Sequence, residues 1–199
     1  MTLEIRSFSG ADAAPYVDDL ARLRITVFRD FPYLYDGDPA YERKYLATYA
    51  GSEGSVFVLA LDGGRVVGAA TGMPMAAETD EVRAPFLAAG RDPGDYFYFG
   101  ESVLLPAYRG RGIGVKFFDG REAQARRLGL AFCTFCAVER PADHPRRPAG
   151  YAPLDRFWQN RGYRHHPELR TTFTWRDLDE TEESEKPLSF WIRDLAAAG

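Results

Sequence analysis

Residues 104–114 read Leu-Leu-Pro-Ala-Tyr-Arg-Gly-Arg-Gly-Ile-Gly, and the three alternate glycines constrain the fold more than any other feature. The apolar residues 96–105 predict a strand, and a helical pattern begins at Gly112. Where a strand passes through glycines into a helix, unpaired backbone N–H groups and the positive end of the helix dipole lie at one spot. Such a spot is suited to bind a phosphate. Arg109 and Arg111 add positive charge. The spacing alone also fits a tight turn that binds nothing.

Two other phosphate-binding loops are excluded by the residues present. The dinucleotide fingerprint G-x-G-x-x-G places its third glycine on Val115 when it starts at Gly110, and on Phe117 when it starts at Gly112. The Walker loop G-x-x-x-x-G-K-S/T needs a lysine after its second glycine, but Val115 follows Gly114. The turn therefore fits neither class of nucleotide-binding protein.

The run resembles the motif of the GNAT superfamily, the acetyl-CoA-dependent N-acyltransferases. Their signature is Q/R-x-x-G-x-G/A after a strand that often ends in V-x-P. Here residues 109–114 read Arg-Gly-Arg-Gly-Ile-Gly, and Leu104 takes the valine position of Leu-Leu-Pro. The order of elements agrees along nearly the whole chain. The resemblance implies one N-acetyltransferase-like domain over residues 1–199, with an α/β (α+β) fold: a mixed, mostly antiparallel sheet, splayed at the cofactor-binding strand and flanked by about four helices.

Local patterns predict the other elements. Alternation of apolar residues predicts strands, recurrence at helical spacing predicts helices, and Gly, Pro and Asp mark the turns. The predicted elements are a strand near 3–8, a helix from Asp12, a second helix opened by Asp38-Pro39, a hairpin of strands 55–61 and 65–70, a strand over 130–138, a short helix over 153–161, and a final hairpin of strands 170–175 and 188–192.

The resemblance also implies acetyl-CoA as co-substrate, with no metal. In this family the pyrophosphate lies on the N–H groups of the glycine turn, and the pantetheine arm pairs with the end of the preceding strand. The residues of this chain at those positions are Val103, Leu104, Leu105, Arg109, Gly110, Arg111, Gly112, Ile113 and Gly114.

Transfer of an acyl group to an amine requires a base, donors for the oxyanion and an acid for the thiolate. Glu101 is the only carboxylate on the central strand, where desolvation raises the pKa of a carboxyl group. A structural ion pair with Arg121, which falls in the apolar stripe of the next helix, is the alternative. The family often places its base about three residues earlier, and that position holds Tyr98.

The acid is a second departure from the family. Its C-terminal helix commonly reads N-x-x-A-x-x-x-Y-x-x-x-G-F, with the tyrosine protonating the thiolate. Aligned on Gly162, the tyrosine position holds Trp158 and the asparagine position holds Tyr151. An indole N–H supplies no proton at neutral pH. Either Tyr151 or a water molecule protonates the thiolate, or Trp158 has only a packing role at the tyrosine position.

The acceptor is predicted to be a small-molecule or peptide amine. Residues 33–49 contain five tyrosines and two aspartates that could line an acceptor pocket as an aromatic and acidic wall: Tyr33, Tyr35, Tyr41, Tyr45, Tyr49, Asp36 and Asp38. Such a wall suits a cationic amine. The same residues also fit simple packing around a pair of helices. The other reading of the whole chain is a catalytically silent module that binds acyl-CoA as a sensor or an interaction domain, because the tyrosine is missing and the carboxylate is displaced.

Composition excludes several other classes. The net charge is −4 without a basic block, which argues against nucleic acid, and no apolar run reaches the length of a membrane span. We expect a cytoplasmic protein and leave the choice between monomer and homodimer open. Cys133 and Cys136 are expected to be unpaired, because they face opposite ways on a strand. A thiol hydrolase built on Cys136 and His144 is disfavoured, because nothing in the sequence brings the two together.

Overall fold

The computed structural model describes residues 3–196, which form a single seven-stranded sheet with helices on both faces. Its strand order is β1-β2-β3-β4-β5-β7-β6, and all neighbours are antiparallel except β4 and β5. The strands are β1 (Leu3–Ser9), β2 (Val56–Asp62), β3 (Arg65–Pro74), β4 (Tyr96–Leu104), β5 (Phe132–Val138), β6 (Arg164–Trp175) and β7 (Ser184–Asp194). The mixed, mostly antiparallel sheet is confirmed, and the final hairpin is longer than predicted.

Five α-helices in the described part of the chain flank this sheet. They are α1 (Val17–Phe28), α2 (Pro39–Gly51), α3 (Asp80–Ala88), α4 (Ile113–Arg127) and α5 (Asp155–Asn160). Helices α1 and α2 cover one face of β2 to β4, while α4 and α5 cover the other. The helix predicted from Asp12 starts as a 3-10 turn over Ala11–Tyr16, and α1 follows it.

Two predicted turns form for the expected reasons. The backbone N–H of Tyr41 donates to the Asp38 carboxylate over 2.8 Å, so Asp38 caps α2, and Pro39 occupies its first position. Gly63 and Gly64 join β2 to β3 with φ values of 58° and 83°. Positive φ at both central residues is the requirement of a type I′ two-residue hairpin turn.

A bulge in β4 decides which side chains face which helices. On β3, Ala70 and Gly72 are two residues apart, but their partners Ser102 and Phe99 on β4 are three apart. The additional residue reverses the alternation of side chains beyond it. Phe99 therefore packs against α4, whereas Glu101 lies on the opposite face and reaches α1.

The parallel pair β4 and β5 opens into a splay. Residues Tyr96–Tyr98 pair with Phe132–Thr134, and no pairing continues beyond them. From there β4 follows β3 to Leu104, while β5 follows β7 to Val138. The predicted splay at this strand is confirmed, and it leaves one edge of β4 open beside the glycine turn.

Candidate active site

The glycine turn joins the open end of β4 to α4. Gly110 and Gly112 adopt φ values of 74° and 76°, in the left-handed region that favours glycine, and the space in front of both is open. Helix α4 starts at Ile113, so its first N–H groups have no acceptor within the helix. The turn presents these donors and a helix dipole to one point, which fits an anion with several oxygens.

The two arginines of the turn lie on either side of it and are available to a ligand. Arg109 Nε donates to the carbonyl oxygen of Leu104 over 3.4 Å, and its side chain is half exposed. Arg111 donates to the carbonyl oxygen of Ala107 over 3.0 Å and stacks on Tyr108. Arg109 also forms an exposed ion pair with Asp30 at 3.9 Å, which is weak enough for a phosphate to replace, and Arg111 has no carboxylate partner within residues 3–196.

Backbone groups of β4 point into the splay. The N–H of Leu105 donates to the carbonyl oxygen of Val67 on β3 over 3.0 Å. Since successive backbone groups of a strand point to opposite edges, the N–H of Leu104 points to the open edge. Val103 is fully buried beneath this edge. An extended ligand is able to pair with β4 here as an additional strand.

Glu101 does not pair with Arg121, and this prediction is wrong. The Glu101 carboxylate accepts from Arg24 Nη1 on α1 over 2.6 Å and from the Tyr45 hydroxyl over 3.3 Å. The bulge is the reason, because it turns Glu101 away from α4. Burial raises the pKa of Glu101 above its ordinary value, while the Arg24 guanidinium acts in the opposite direction.

Arg24 lies between two buried carboxylates. Its Nε donates to Glu42 on α2, in addition to the bond from Nη1 to Glu101, and its guanidinium stacks on the Tyr45 ring at 4.2 Å. The side chains of Glu42 and Glu101 are 0% and 1% exposed. This Arg24–Glu42–Glu101 triad ties both N-terminal helices to the bulge of β4.

Arg121 is buried without a carboxylate partner among the described residues. It donates to three backbone carbonyls, those of Phe117, Thr71 and Glu101, and to the hydroxyl of Ser102 at 2.8 Å. Its guanidinium also lies 4.0 Å from the centre of the Phe99 ring. Burial lowers the pKa of Arg121 to about 10, so it stays charged at neutral pH and holds the bulge through its carbonyl groups.

Tyr98 and Cys136 meet where the splay begins. The Tyr98 hydroxyl lies 3.2 Å from the Cys136 sulfur, and burial raises the pKa of both groups, that of Cys136 to about 12. His144 instead packs on Phe31, with ring centres 5.6 Å apart. Both cysteines are unpaired, and within residues 3–196 Cys136 and His144 contact other partners, so the pair that a thiol hydrolase would need does not form. Tyr98 is buried and takes the neutral form at ordinary pH.

Tyr151 and Trp158 have different surroundings. Trp158 packs on Phe135 and Trp191, with ring centres 5.0 and 5.1 Å away, so the packing interpretation is confirmed. Tyr151 is half-buried in the loop before α5 and lies edge-on to Phe31 at 4.7 Å. Burial raises the pKa of Tyr151. Its hydroxyl group is therefore in its protonated form at neutral pH, as an acid requires.

The predicted tyrosine and aspartate wall forms only in part. Tyr41 is 58% exposed, Asp38 serves as a helix cap, and Asp36 pairs with Arg29 and Arg176. Tyr33 packs on Phe28 and Trp175, and Tyr35 forms a β-bridge with Asp177. Tyr45 and Tyr49 do lie at the start of the splay on the α1 and α2 face, together with two residues outside the predicted wall, and each of the four lies close enough to shift the pKa of another. We call these four the tyrosine cluster: Tyr45, Tyr49, Glu78 and Tyr98.

Sequence reasoning missed four charged residues of this region. Arg24 gave a signal, because it lies at helical spacing among the apolar residues of α1, and Glu42 lies in the same way on the buried face of α2. Glu78 and Arg140 gave none. Arg140 donates to the carbonyl oxygens of Pro32 and Tyr33 and forms a two-bond pair with Asp177, which clamps the loop between α1 and α2.

The sequence of the chain also identifies its family. Residues 20–149 match the sequence profile of the acetyltransferase (GNAT) family. The chain belongs to the GNAT acetyltransferase family. Among curated protein sequences, none is a significant match. The GNAT motif predicted from residues 109–114 is thus in a chain whose family and fold are both confirmed.

Solved structures share the GNAT fold at low sequence identity. An aminoglycoside 6′-N-acetyltransferase in complex with coenzyme A has a TM-score of 0.61 and 13% identity, over 96% of this chain and 97% of that one. A Salmonella typhimurium protein solved with its cofactor acetyl-CoA has a TM-score of 0.57 and 16% identity, over 98% and 95%. A ribosomal-protein-alanine N-acetyltransferase from Brucella melitensis has a TM-score of 0.60 and 14% identity, over 96% and 99%.

No helix in residues 3–196 is long and apolar enough to span a membrane. The same residues contain no group of three or more His, Cys, Asp or Glu side chains arranged to hold a metal ion.

Proposed function

We propose that this chain is an acetyl-CoA-dependent N-acetyltransferase that acts on a small-molecule or peptide amine, with residues 1–199 as a single catalytic domain. The observation that carries the proposal is the open edge of β4 leading into the glycine turn. An extended ligand with a diphosphate at one end fits both features at once. Two of the structural neighbours hold acetyl-CoA or coenzyme A, which supports the same ligand here.

The residues around the turn would hold the diphosphate. Backbone N–H groups from Gly110 to Gly114 would donate to its oxygens, and Arg109 and Arg111 would balance its charge. Val103, Leu104 and Leu105 would pair with the extended arm. When bound, the cofactor supplies the reactive acyl thioester, and the chain directs it toward the splay.

Chemistry would occur where the splay begins. The Leu104 N–H points to the open edge and is placed to donate to a developing oxyanion. Tyr151 is the side chain we propose for protonation of the thiolate, since Trp158 is packed in the core and cannot release a proton. Glu101 is a candidate base by its raised pKa, but its carboxylate is enclosed and held by Arg24.

A catalytically silent acyl-CoA-binding module is the second candidate. The packed Trp158 at the position where the family commonly has tyrosine favours it. In that case the glycine turn and the open strand edge would bind the cofactor, while the tyrosine cluster would perform no chemistry. The protein would then act as a sensor or interaction domain.

Calorimetry and an amine screen separate the two candidates. We expect coenzyme A to bind with a micromolar-range Kd, and failure to bind at millimolar concentration would exclude both. The screen offers kanamycin, spermidine, tyramine and a peptide with N-terminal alanine, and follows release of the cofactor thiol. Turnover of any of these amines supports the transferase, whereas tight binding with no turnover across a wider amine panel supports the silent module.

A further inference from the structure

Glu78 is a carboxylate at the splay that has no salt bridge within residues 3–196. It follows β3 in a short 3-10 turn and is half-buried. One of its oxygens accepts from the Tyr49 hydroxyl, and the other accepts from the backbone N–H of Thr79 over 3.1 Å. Both bonds leave further lone pairs on the carboxylate, so it is oriented but still able to accept another donor.

The surroundings of Glu78 define the point toward which it faces. The Tyr49 hydroxyl that donates to Glu78 lies against Gly100 in the bulge of β4, and the Tyr49 ring is 5.2 Å from the Tyr45 ring on the same helix. Glu78 thus lies where α2 meets β4, next to the end of the parallel pairing. Glu78 is therefore on the α2 side of the splay, close to the place where a ligand extended along β4 would end.

The charges in this region do not balance. Arg24 is shared by Glu42 and Glu101, and Glu78 lies close enough to Glu101 for the two carboxylates to repel. Three carboxylates therefore lie in this region, and Arg24 is the only cation within residues 3–196 that pairs with any of them. A buried excess of negative charge is costly unless a cation joins it. An ammonium group from a ligand would supply that cation.

We propose that Glu78, held by Tyr49, receives the ammonium group of the acceptor and takes its proton. The inference rests on the proposed transferase function and assigns the base of that reaction. One N–H bond of the ammonium breaks and one O–H bond forms on Glu78, so the charged pair becomes a neutral amine and a neutral carboxylic acid. The acid then returns its proton to water. The neutral amine is the form that attacks an acyl group.

Glu78 suits this role better than Glu101. The Glu101 side chain is 1% exposed and pairs with Arg24, which stabilises its ionised form and blocks access. Glu78 is only half-buried, and no cation within residues 3–196 pairs with it. Burial raises its pKa, with the hydrogen bonds from Tyr49 and Thr79 and the charges of Glu101 and Glu81 as smaller influences. A base whose pKa lies nearer neutrality takes a proton more effectively.

The test compares Glu78→Gln with Glu53→Gln, an exposed glutamate in the turn between α2 and β2. Gln keeps the size of Glu78 and can still accept from Tyr49, so the free energy of unfolding in urea should match the wild type. With the best amine of the screen, kcat should fall by about 10²–10⁴-fold in Glu78→Gln, the usual contribution of a positioned base. Glu53→Gln should retain full activity.

Two further readouts separate chemistry from structure. The acidic limb of the wild-type pH profile of kcat/KM should disappear in Glu78→Gln. Calorimetry with coenzyme A present should show the same amine binding at least about tenfold more weakly to this variant, because the buried counter-charge is lost. The affinity for coenzyme A should stay unchanged in both variants, even where kcat and amine binding fall.

The outcomes distinguish this inference from the function on which it rests. A wild-type enzyme that turns over an amine, together with Glu78→Gln retaining its rate and its acidic limb, overturns the role of Glu78 and leaves the transferase standing. A wild type that binds coenzyme A but turns over no amine overturns both. If Glu78→Gln is destabilised and the folded fraction keeps full activity, Glu78 is only structural.

Discussion

Arg24 Nη1 donates to Glu101 Oε2 over 2.6 Å and thereby joins α1 to the bulge of β4. The two side chains are 10% and 1% exposed, so the pair lies out of water. Glu101→Gln should lower the free energy of unfolding by about 3 kcal/mol, at the lower end for a broken buried pair because Glu42 still faces Arg24. Urea unfolding measures the loss.

Asp19→Asn provides the control for Glu101→Gln. Asp19 pairs with Arg22 on the exposed side of the same helix, and the two side chains are 37% and 56% exposed. Loss of such a pair should cost at most about 1 kcal/mol. If Glu101→Gln is no more destabilising than this control and loses its activity instead, Glu101 is catalytic and its pair with Arg24 is not a structural support.

Local chemistry made much of the fold predictable. The motif of residues 109–114, the hairpin at Gly63 and the cap at Asp38 depend on residues close in sequence, and each prediction was confirmed. The family followed from the same motif. What these features share is that their backbone conformation depends on the residues at that position and scarcely on distant contacts.

The bulge in β4 is the feature that regular alternation does not predict. Strict alternation places Glu101 on the face of Phe97 and Phe99, toward Arg121, whereas the structure has it on the other face. Gly100 was the available signal, since an isolated glycine inside a strand often marks a bulge. Glu78 gave no signal at all, because its role depends on three elements that meet only in the folded chain.

Arg140 should control the acceptor end of the site through the loop that it clamps. Arg140→Gln removes the bonds to the carbonyl oxygens of Pro32 and Tyr33 and the pair with Asp177. The Tyr33 ring would lose its fixed position beside the tyrosine cluster. We expect the KM of the amine to rise about tenfold while the Kd of coenzyme A stays the same, since small misplacements are costly for positioned groups.

Arg146→Gln is the matched control for Arg140→Gln. Arg146 also pairs with an aspartate of the loop after β6, Asp179, but the two side chains are 42% and 62% exposed. This variant should leave KM unchanged. Equal effects of the two substitutions, or a rise in the Kd of coenzyme A for Arg140→Gln, would contradict a specific role of the clamp.

The two cysteines should be almost unreactive in the folded protein. Burial raises the pKa of both Cys133 and Cys136 to about 12, so about 10⁻⁴ of each thiol is ionised at pH 8. Iodoacetamide should modify them at least about 1,000-fold more slowly than a free cysteine, and reactivity should rise when urea unfolds the chain. Rapid labelling of the native protein at pH 8 would contradict the raised pKa of the buried Cys133 and the half-buried Cys136.

Gly112 should be indispensable to cofactor binding. Gly112→Asp places a negative charge at the turn and forces a side chain onto a residue with φ of 76°. Repulsion of the diphosphate should weaken coenzyme A binding by more than about 100-fold in calorimetry. Gly63→Asp is the control, because Gly63 also has positive φ, at 58°, and lies in the β2–β3 hairpin. Both variants should lose similar stability, but only Gly112→Asp should lose coenzyme A; equal losses of affinity would mean that the glycine turn does not hold the diphosphate.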